Sequence, residues 1–299
     1  MLISKKPQTV LNTPLTVDNW QVKYIPNLLT GKSDLTEWHE GQVEMGQTNS
    51  HKYLGFFLSN TGDNLVHIKE MKKRSIWIIR KIFTRLDNLH LKKYHFECGI
   101  IFLNVMLRSS ILYACETYYN LTESHIRQLE RIEEGFLRKL FKTSTGCPII
   151  QLYLEAGHTP ARFAIKKIKL LFLKTILEEK PESLICKFLH LQLENPVKGD
   201  WVTSCTQDLK DLEIKMSFDE IKVISKQNFC LILQKSIEKC AFEYLIKKRR
   251  RKGQEIQYTK LKMADYLMPS NVKMTKEEKR NIFAIRNRMV LIPSNFSTN

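Results

Sequence analysis

Between Lys69 and Arg85 the chain places Lys69, Lys73 and Arg80 at successive steps of four and seven residues. Arg74, Lys81 and Arg85 repeat the pattern one step round. Projected at 100° per residue, the two sets form cationic stripes on either flank of Trp77, while Ile68, Met71, Ile79, Ile82, Phe83 and Leu86 gather on the opposite side. Lys and Arg in rows neutralise phosphates and release their counterions, and an aromatic between the rows offers a face on which a base or sugar can stack. That chemistry binds a polyanion without reading its sequence. A solvated helix face, with Trp77 packed on a neighbour, would produce the same pattern.

Catalytic constellations are harder to assemble. The nine Asp residues are scattered singly and no Asp-Asp pair occurs, so the paired carboxylates that metal-assisted phosphoryl transfer needs are missing from this sequence. His95 and Cys98 have no second half of a zinc site, and the His95-Phe96-Glu97 run lacks the Pro-Cys-x-x-Cys of a zinc deaminase. Glycine-rich phosphate loops and a nucleophile elbow are absent too. Lys247-Lys248-Arg249-Arg250-Arg251-Lys252 is a compact basic run suited to nuclear import, to phosphate binding or to the negative pole of a helix.

The elements that carry these residues are legible in outline. Up to Asn64 the chain is rich in turn formers and β-branched residues, which predicts short strands and loops. Tyr53 to Leu58, followed by the turn formers Ser59 to Gly62, has the pattern of a strand entering a hairpin. From Leu65 onward the apolar spacing becomes helical, beginning with a helix over 66–86. Thr122 is placed to cap a helix whose apolar face runs through Ile126, Leu129, Ile132, Phe136, Leu137 and Leu140. Thr159-Pro160 has the cap and first-turn pattern for a helix over 163–179, closed at Lys180-Pro181. Ser217 with Glu220, and Thr275 with Glu278, have capping-box spacing. Residues 195–205 read as a linker, and the apolar run Cys98–Cys115 as a buried helix too short and too polar to span a bilayer. The expected fold is mainly α: a β-rich segment over 1–64, a helical bundle over 65–194, and a helical region over 206–299 that holds the basic run.

Charge agrees with the division. Forty-eight Lys and Arg face 31 Asp and Glu, a net +17, yet residues 1–64 carry −1, so everything beyond Asn64 carries +18. A field of that sign attracts nucleic acid. Seven dispersed cysteines, an odd number, argue against a disulfide framework, and Met1–Pro7 has no apolar stretch long enough for a signal peptide. The expected location is therefore intracellular, in the nucleus or in a cytoplasmic ribonucleoprotein.

His51-Lys52-Tyr53-Leu54-Gly55 resembles the primer-grip motif of LINE-type, non-LTR retrotransposon reverse transcriptases. The resemblance continues in order through His67-Ile68, Ser110–Glu116, Phe136-Leu137-Arg138, Leu154-Glu155-Ala156-Gly157 and Thr159-Pro160, and on to Ile282–Arg286, Arg288-Met289 and Asn295-Phe296. It implies a palm remnant with its primer-grip hairpin followed by a helical thumb, with Lys52, Tyr53, Leu54 and Gly55 near a primer strand and the 66–86 helix against template-primer nucleic acid: RNA, DNA or their hybrid. The family is an RNA-directed DNA polymerase using Mg2+ on palm carboxylates. Its Tyr-x-Asp-Asp motif and terminal Cys/His knuckle are not found in these 299 residues, so the resemblance implies a fragment that binds nucleic acid without copying it and holds no cofactor of its own. The alternative is a helical scaffold for protein partners, with incidental nucleic-acid affinity. Neither reading requires a membrane.

Overall fold

The computed structural model describes residues 50–59, 64–88, 94–118, 121–143, 146–197, 199–248, 258, 260–268 and 274–286, and the backbone of four strands between residues 15 and 45. The chain divides into two compact units, Met1–Glu70 and Met71–Asn299. The division falls inside the first helix, a few residues beyond the composition boundary at Asn64.

In the N-terminal unit, β1 (Leu15–Val17), β2 (Trp20–Tyr24), β3 (Trp38–His39) and β4 (Gln42–Met45) form a sheet in the order β1-β2-β4-β3. Its two outer pairings are antiparallel, and β2 runs parallel to β4. A separate hairpin pairs β5 (Ser50–Tyr53) with β6 (Phe56–Ser59), with Tyr53 opposite Phe56 and Ser50 opposite Ser59. The chain reverses at Leu54-Gly55; of the turn formers at 59–62, Ser59 still belongs to β6 and the other three lie outside the described residues. Leu54 (φ 45°) and Gly55 (φ 89°) both lie in the left-handed region, the backbone that a two-residue turn needs to match the twist of its strands. His67 anchors the hairpin to the following helix: buried, it accepts a hydrogen bond from the Phe57 N–H at Nδ1 (3.3 Å), and its ring lies 4.3 Å from that of Phe56.

The described residues from Leu65 onward are mainly helical, as the periodicity predicts: α1 (Leu65–Asn88), α2 (His95–Phe102), a π-helical turn over Leu103–Arg108, α3 (Ser109–Ile111), a 3-10 turn over Cys115–Thr117, α4 (Glu123–Phe141), α5 (Ile149–Ala156), α6 (Ala161–Glu178), α7 (Leu184–Glu194), α8 (Trp201–Asp211), α9 (Phe218–Val223), α10 (Lys226–Lys248), a 3-10 turn over Asp265–Leu267 and α11 (Lys276–Arg286). Three caps are built as expected. The Thr122 side chain accepts from the His125 N–H, Ser217 and Glu220 close a capping box, and Thr275 and Glu278 exchange the same pair of bonds ahead of α11.

Three expectations need correction. Pro160, not Thr159, occupies the cap position of α6; Thr159 is taken by Arg108, which donates to both its carbonyl and its hydroxyl. The stretch read as a linker ends at Asp200, whose carboxylate accepts from the Val197 and Thr203 N–H groups and starts α8; Val202, Cys205 and Leu209 of that helix are buried. The Cys98–Cys115 run is buried on one face only. Leu103, Leu107 and Ile111 point inward, while Ile101 and Val105 face solvent.

Two aromatic and aliphatic clusters hold the helices together. Phe83 of α1 contacts Phe136 of α4 (5.1 Å between ring centres), Phe96 of α2 contacts Phe141 of α4 (5.1 Å), and Phe283 of α11 lies 4.7 Å from Phe141. Beyond them one core joins α6 to α10, with Leu170, Leu173, Cys205, Ile221, Phe229 and Leu233 at its centre. No helix among the described residues is long and apolar enough to cross a membrane.

Candidate nucleic-acid interface

From Met71 to Leu86, α1 contains six Lys and Arg and no carboxylate. Met71, Ser75, Ile78, Ile82, Phe83 and Leu86 are buried and fix the roll of the helix. Ser75 and Ile78 join the buried face predicted from the sequence, and Ile79 lies only at its edge. The cationic face is consequently turned outward: Lys73, Arg74, Arg80, Lys81 and Arg85 are all exposed, and Trp77 between them is 57% exposed. With a rise of about 1.5 Å per residue, Lys73 and Arg80 stand roughly 10 Å apart along one edge, and Arg74 and Lys81 the same along the other. Each row thus presents charges at steps comparable with one or two phosphates of a strand.

The local electrostatics leave most of this charge available. Among the described residues no carboxylate pairs with Arg74, Arg80, Lys81 or Arg85. The Lys81 ammonium sits 3.5 Å above the Trp77 ring, a cation–π contact across one helical turn, so one face of the indole is covered. The Arg85 guanidinium reaches the Met106 sulfur at 4.0 Å. Lys72, Ile76 and Thr84 also lie on the exposed surface of α1, with Ile76 beside Trp77. Ile76 is 53% exposed although isoleucine is ordinarily a core residue.

The remaining candidates fall elsewhere. Lys52, Tyr53, Leu54, Gly55 and Lys69 belong to the N-terminal unit. There, Lys52, Tyr53 and Leu54 are exposed at the hairpin tip, Lys69 is exposed on the first turns of α1, and the Lys52 ammonium stands 5.8 Å from the Phe57 ring. Of the basic run, Lys247 and Lys248 end α10, and Lys248 donates to the Tyr244 hydroxyl at 2.6 Å. Arg249, Arg250, Arg251 and Lys252 lie outside the described residues, as do Arg288, Met289, Asn295 and Phe296.

A buried polar cluster that side-chain spacing does not reveal joins the π-helical turn to α4 and to Thr159. Arg108, at the end of the π-helical turn, makes a bidentate pair with the fully buried Glu133 of α4 (Nε–Oε1 2.7 Å, Nη2–Oε2 3.0 Å) and holds Thr159 from the same guanidinium. Burial pushes the Glu133 carboxyl up, and the guanidinium opposes that shift. His158, stacked on Tyr153, is driven well below its ordinary range by burial and then by Arg108, and is therefore neutral. A cavity of about 340 Å³ adjoins the cluster, lined by Arg108, His158, Phe163, Lys167 and Gln234 among others. Glu155 of α5, also fully buried, accepts from the Tyr258 hydroxyl (2.7 Å) and from Arg286 Nε (3.0 Å). Next to it Gly157 (φ 61°) has no room for a side chain, since a Cβ there would overlap the backbone of Lys262 and Met263. The signal was available: Glu133 and Glu155 are acids on otherwise apolar helix faces, and such residues are buried only when paired.

Among the described residues no group of three His, Cys, Asp or Glu side chains is placed to hold a metal ion. Set against models of known protein families, against curated proteins and against solved structures, the chain matches none.

Proposed function

We propose that the chain is the primer-grip and thumb part of a LINE-type retrotransposon reverse transcriptase, and that it binds RNA, DNA or their hybrid through the outward face of α1. The observation that carries this reading is the pairing of an exposed Trp77 with two rows of exposed Lys and Arg, on a helix whose opposite face is locked into the core. Phosphates of the bound strands neutralise the two rows, and the uncovered face of Trp77 packs on a base or sugar. The hairpin tip, Lys52 to Gly55, is assigned to the primer strand by the same resemblance. The carboxylates of the polymerase centre have no counterpart here, so the chain alone grips nucleic acid and does not extend a primer.

Binding of the full chain to a labelled RNA/DNA hybrid across a salt series tests the proposal. Affinity should fall steeply with salt. A variant with Lys69, Lys73 and Arg80 changed to Gln should lose about 0.9 of the log–log slope for each phosphate contact removed. Primer extension on the same samples should give no product. Absent binding, or binding indifferent to salt, would transfer the chain to the protein-scaffold reading.

A further inference from the structure

Four stretches of chain meet around the cavity beside Arg108: the π-helical turn over Leu103–Arg108, the α5–α6 junction at His158-Thr159, the first half of α6 and the middle of α10. Asn104 and Glu238 stand exposed at its mouth. Arg108, Lys167 and Gln234 are half-buried, and Phe163 and Ile237 form an apolar wall. Its volume of about 340 Å³ lies at the small end of the range for ligand pockets, and a lone ion does not fill it.

The polar groups on the lining have protons to spare. Of those on the Lys167 ammonium, one goes to Gln234 Oε1 at 2.6 Å, and among the described residues no carboxylate pairs with this lysine. Gln234 Nε2 gives one proton to Glu238 (2.6 Å) and keeps the other. Arg108 Nη1 reaches Asn104 Oδ1 and Thr159 Oγ1 only at 3.4 and 3.5 Å. The Asn104 amide nitrogen and the Thr159 hydroxyl proton donate to nothing among the described residues. His158, 3% exposed, lines the same cavity, and its Nε2 has no hydrogen-bond partner. The complement of such a lining is a group rich in acceptors.

Charge narrows the choice. Arg108 is matched by Glu133 behind it, so Lys167 holds the uncompensated positive charge of the interior, while Glu238 sits on the exposed rim, tied to Gln234. A phosphate monoester brings roughly two negative charges and three acceptor oxygens on one atom, enough to take protons from Lys167, Arg108 Nη1, Thr159 and Asn104 together. A carboxylate, flat and with two oxygens, would leave part of them unspent. The remaining volume, against Phe163 and Ile237, suits the sugar or base that carries the phosphate.

We propose that this cavity binds the phosphate monoester of a nucleotide, with Lys167, Arg108, Thr159 and Asn104 on the phosphate oxygens and Phe163 and Ile237 against the sugar or base. Two sources present that group: the 5′ end of a nucleic-acid strand and a free mononucleotide. Arg85, at the end of the α1 face, contacts Met106 of the same π-helical turn, which puts the mouth within reach of a strand lying on α1. The site is nevertheless separate from that face and stands whether or not α1 binds nucleic acid.

Two measurements on the full chain test it. In fluorescence anisotropy, a short 3′-labelled strand with a 5′-phosphate should bind about tenfold tighter than the same strand with a 5′-hydroxyl, the effect of a few charge-assisted hydrogen bonds. Lys167→Met, and separately Asn104→Leu at the exposed mouth, should bring that ratio close to one without changing the 5′-hydroxyl strand, and Lys167→Arg should retain it. A Lys73→Gln, Arg80→Gln variant should weaken both strands alike and leave the ratio intact, which separates this site from α1. In thermal unfolding, AMP at millimolar concentration should raise the midpoint of the wild type, adenosine should not, and the shift should vanish in Lys167→Met. An AMP shift without a strand preference assigns the site to free nucleotides, and a strand preference without an AMP shift assigns it to strand ends. If neither 5′-phosphate nor AMP is distinguished from its hydroxyl counterpart, the proposal is overturned. A preference that survives both Lys167→Met and Asn104→Leu overturns it as well, since the phosphate would then be held elsewhere.

Discussion

At the scale of single residues, the strongest constraint is a buried ion pair. Glu133 has no access to solvent, and both its oxygens are held by Arg108, so either partner left alone would be an uncompensated charge in the core. Glu133→Ala should destabilise the protein by about 3 kcal/mol, in the range observed when one member of a buried pair is removed. The double change Arg108→Met, Glu133→Leu should recover much of that loss, because apolar groups of similar volume carry no desolvation penalty. Urea unfolding of the three proteins makes the comparison; equal losses in the single and double variants would mean that Arg108 is held by Thr159 rather than by Glu133. On the surface, the Lys81 ammonium over Trp77 sets a different limit, since a base can stack only on the free side of the indole or by displacing the lysine.

At the scale of elements, local backbone geometry decides what is presented. The π-helical turn keeps Leu103, Leu107 and Ile111, each four residues apart, on one buried face, and it ends at Arg108 where Glu133 waits. In the β5–β6 hairpin the left-handed conformation at Leu54 is one that a leucine adopts reluctantly, whereas asparagine before glycine suits it. Leu54→Asn should therefore stabilise the hairpin by about 0.5 kcal/mol. Slower amide exchange at Phe57 and Ser59 is the readout, and unchanged or faster exchange would show that packing of the Leu54 side chain outweighs its backbone strain. If Leu54 also touches a primer strand, as the family resemblance implies, the same variant should bind nucleic acid less tightly while folding better.

At the scale of the whole molecule, two buried imidazoles tie stability to pH. His95 is lowered from 6.5 to about 4, by burial first and then by Lys276 and Arg280, with Asp87 opposing, and His158 is lowered by burial and Arg108. Both are neutral in the folded protein near neutral pH and titrate near 6.5 once unfolded. Below that value the unfolded chain takes up protons that the folded chain refuses, so stability is fully present above about 6.5 and declines as pH falls toward 4. The urea midpoint should drop across this window, and drop less steeply in His95→Gln. Identical slopes in the two proteins would remove His95 from the account.

The sequence by itself determined the local matters: the change from turn-rich to helical periodicity near Leu65, the caps at Thr122, Ser217 and Thr275, and the amphipathic division of α1 that turns Trp77 and its flanking cations away from the core. These follow from side-chain spacing and short-range hydrogen bonds, which are complete within a few residues of chain. Tertiary structure decided the rest. Thr159 lost its capping role because Arg108, 51 residues earlier in the chain, claims it. Residues 201–205 became helix with Cys205 in the core because α6 and α10 offer an apolar surface to cover. The β5–β6 turn at Leu54-Gly55 is stitched to α1 by His67, which accepts from the Phe57 N–H of β6. Whether an acid such as Glu133 or Glu155 is buried depends on partners distant in sequence, which residue spacing along a single helix does not encode.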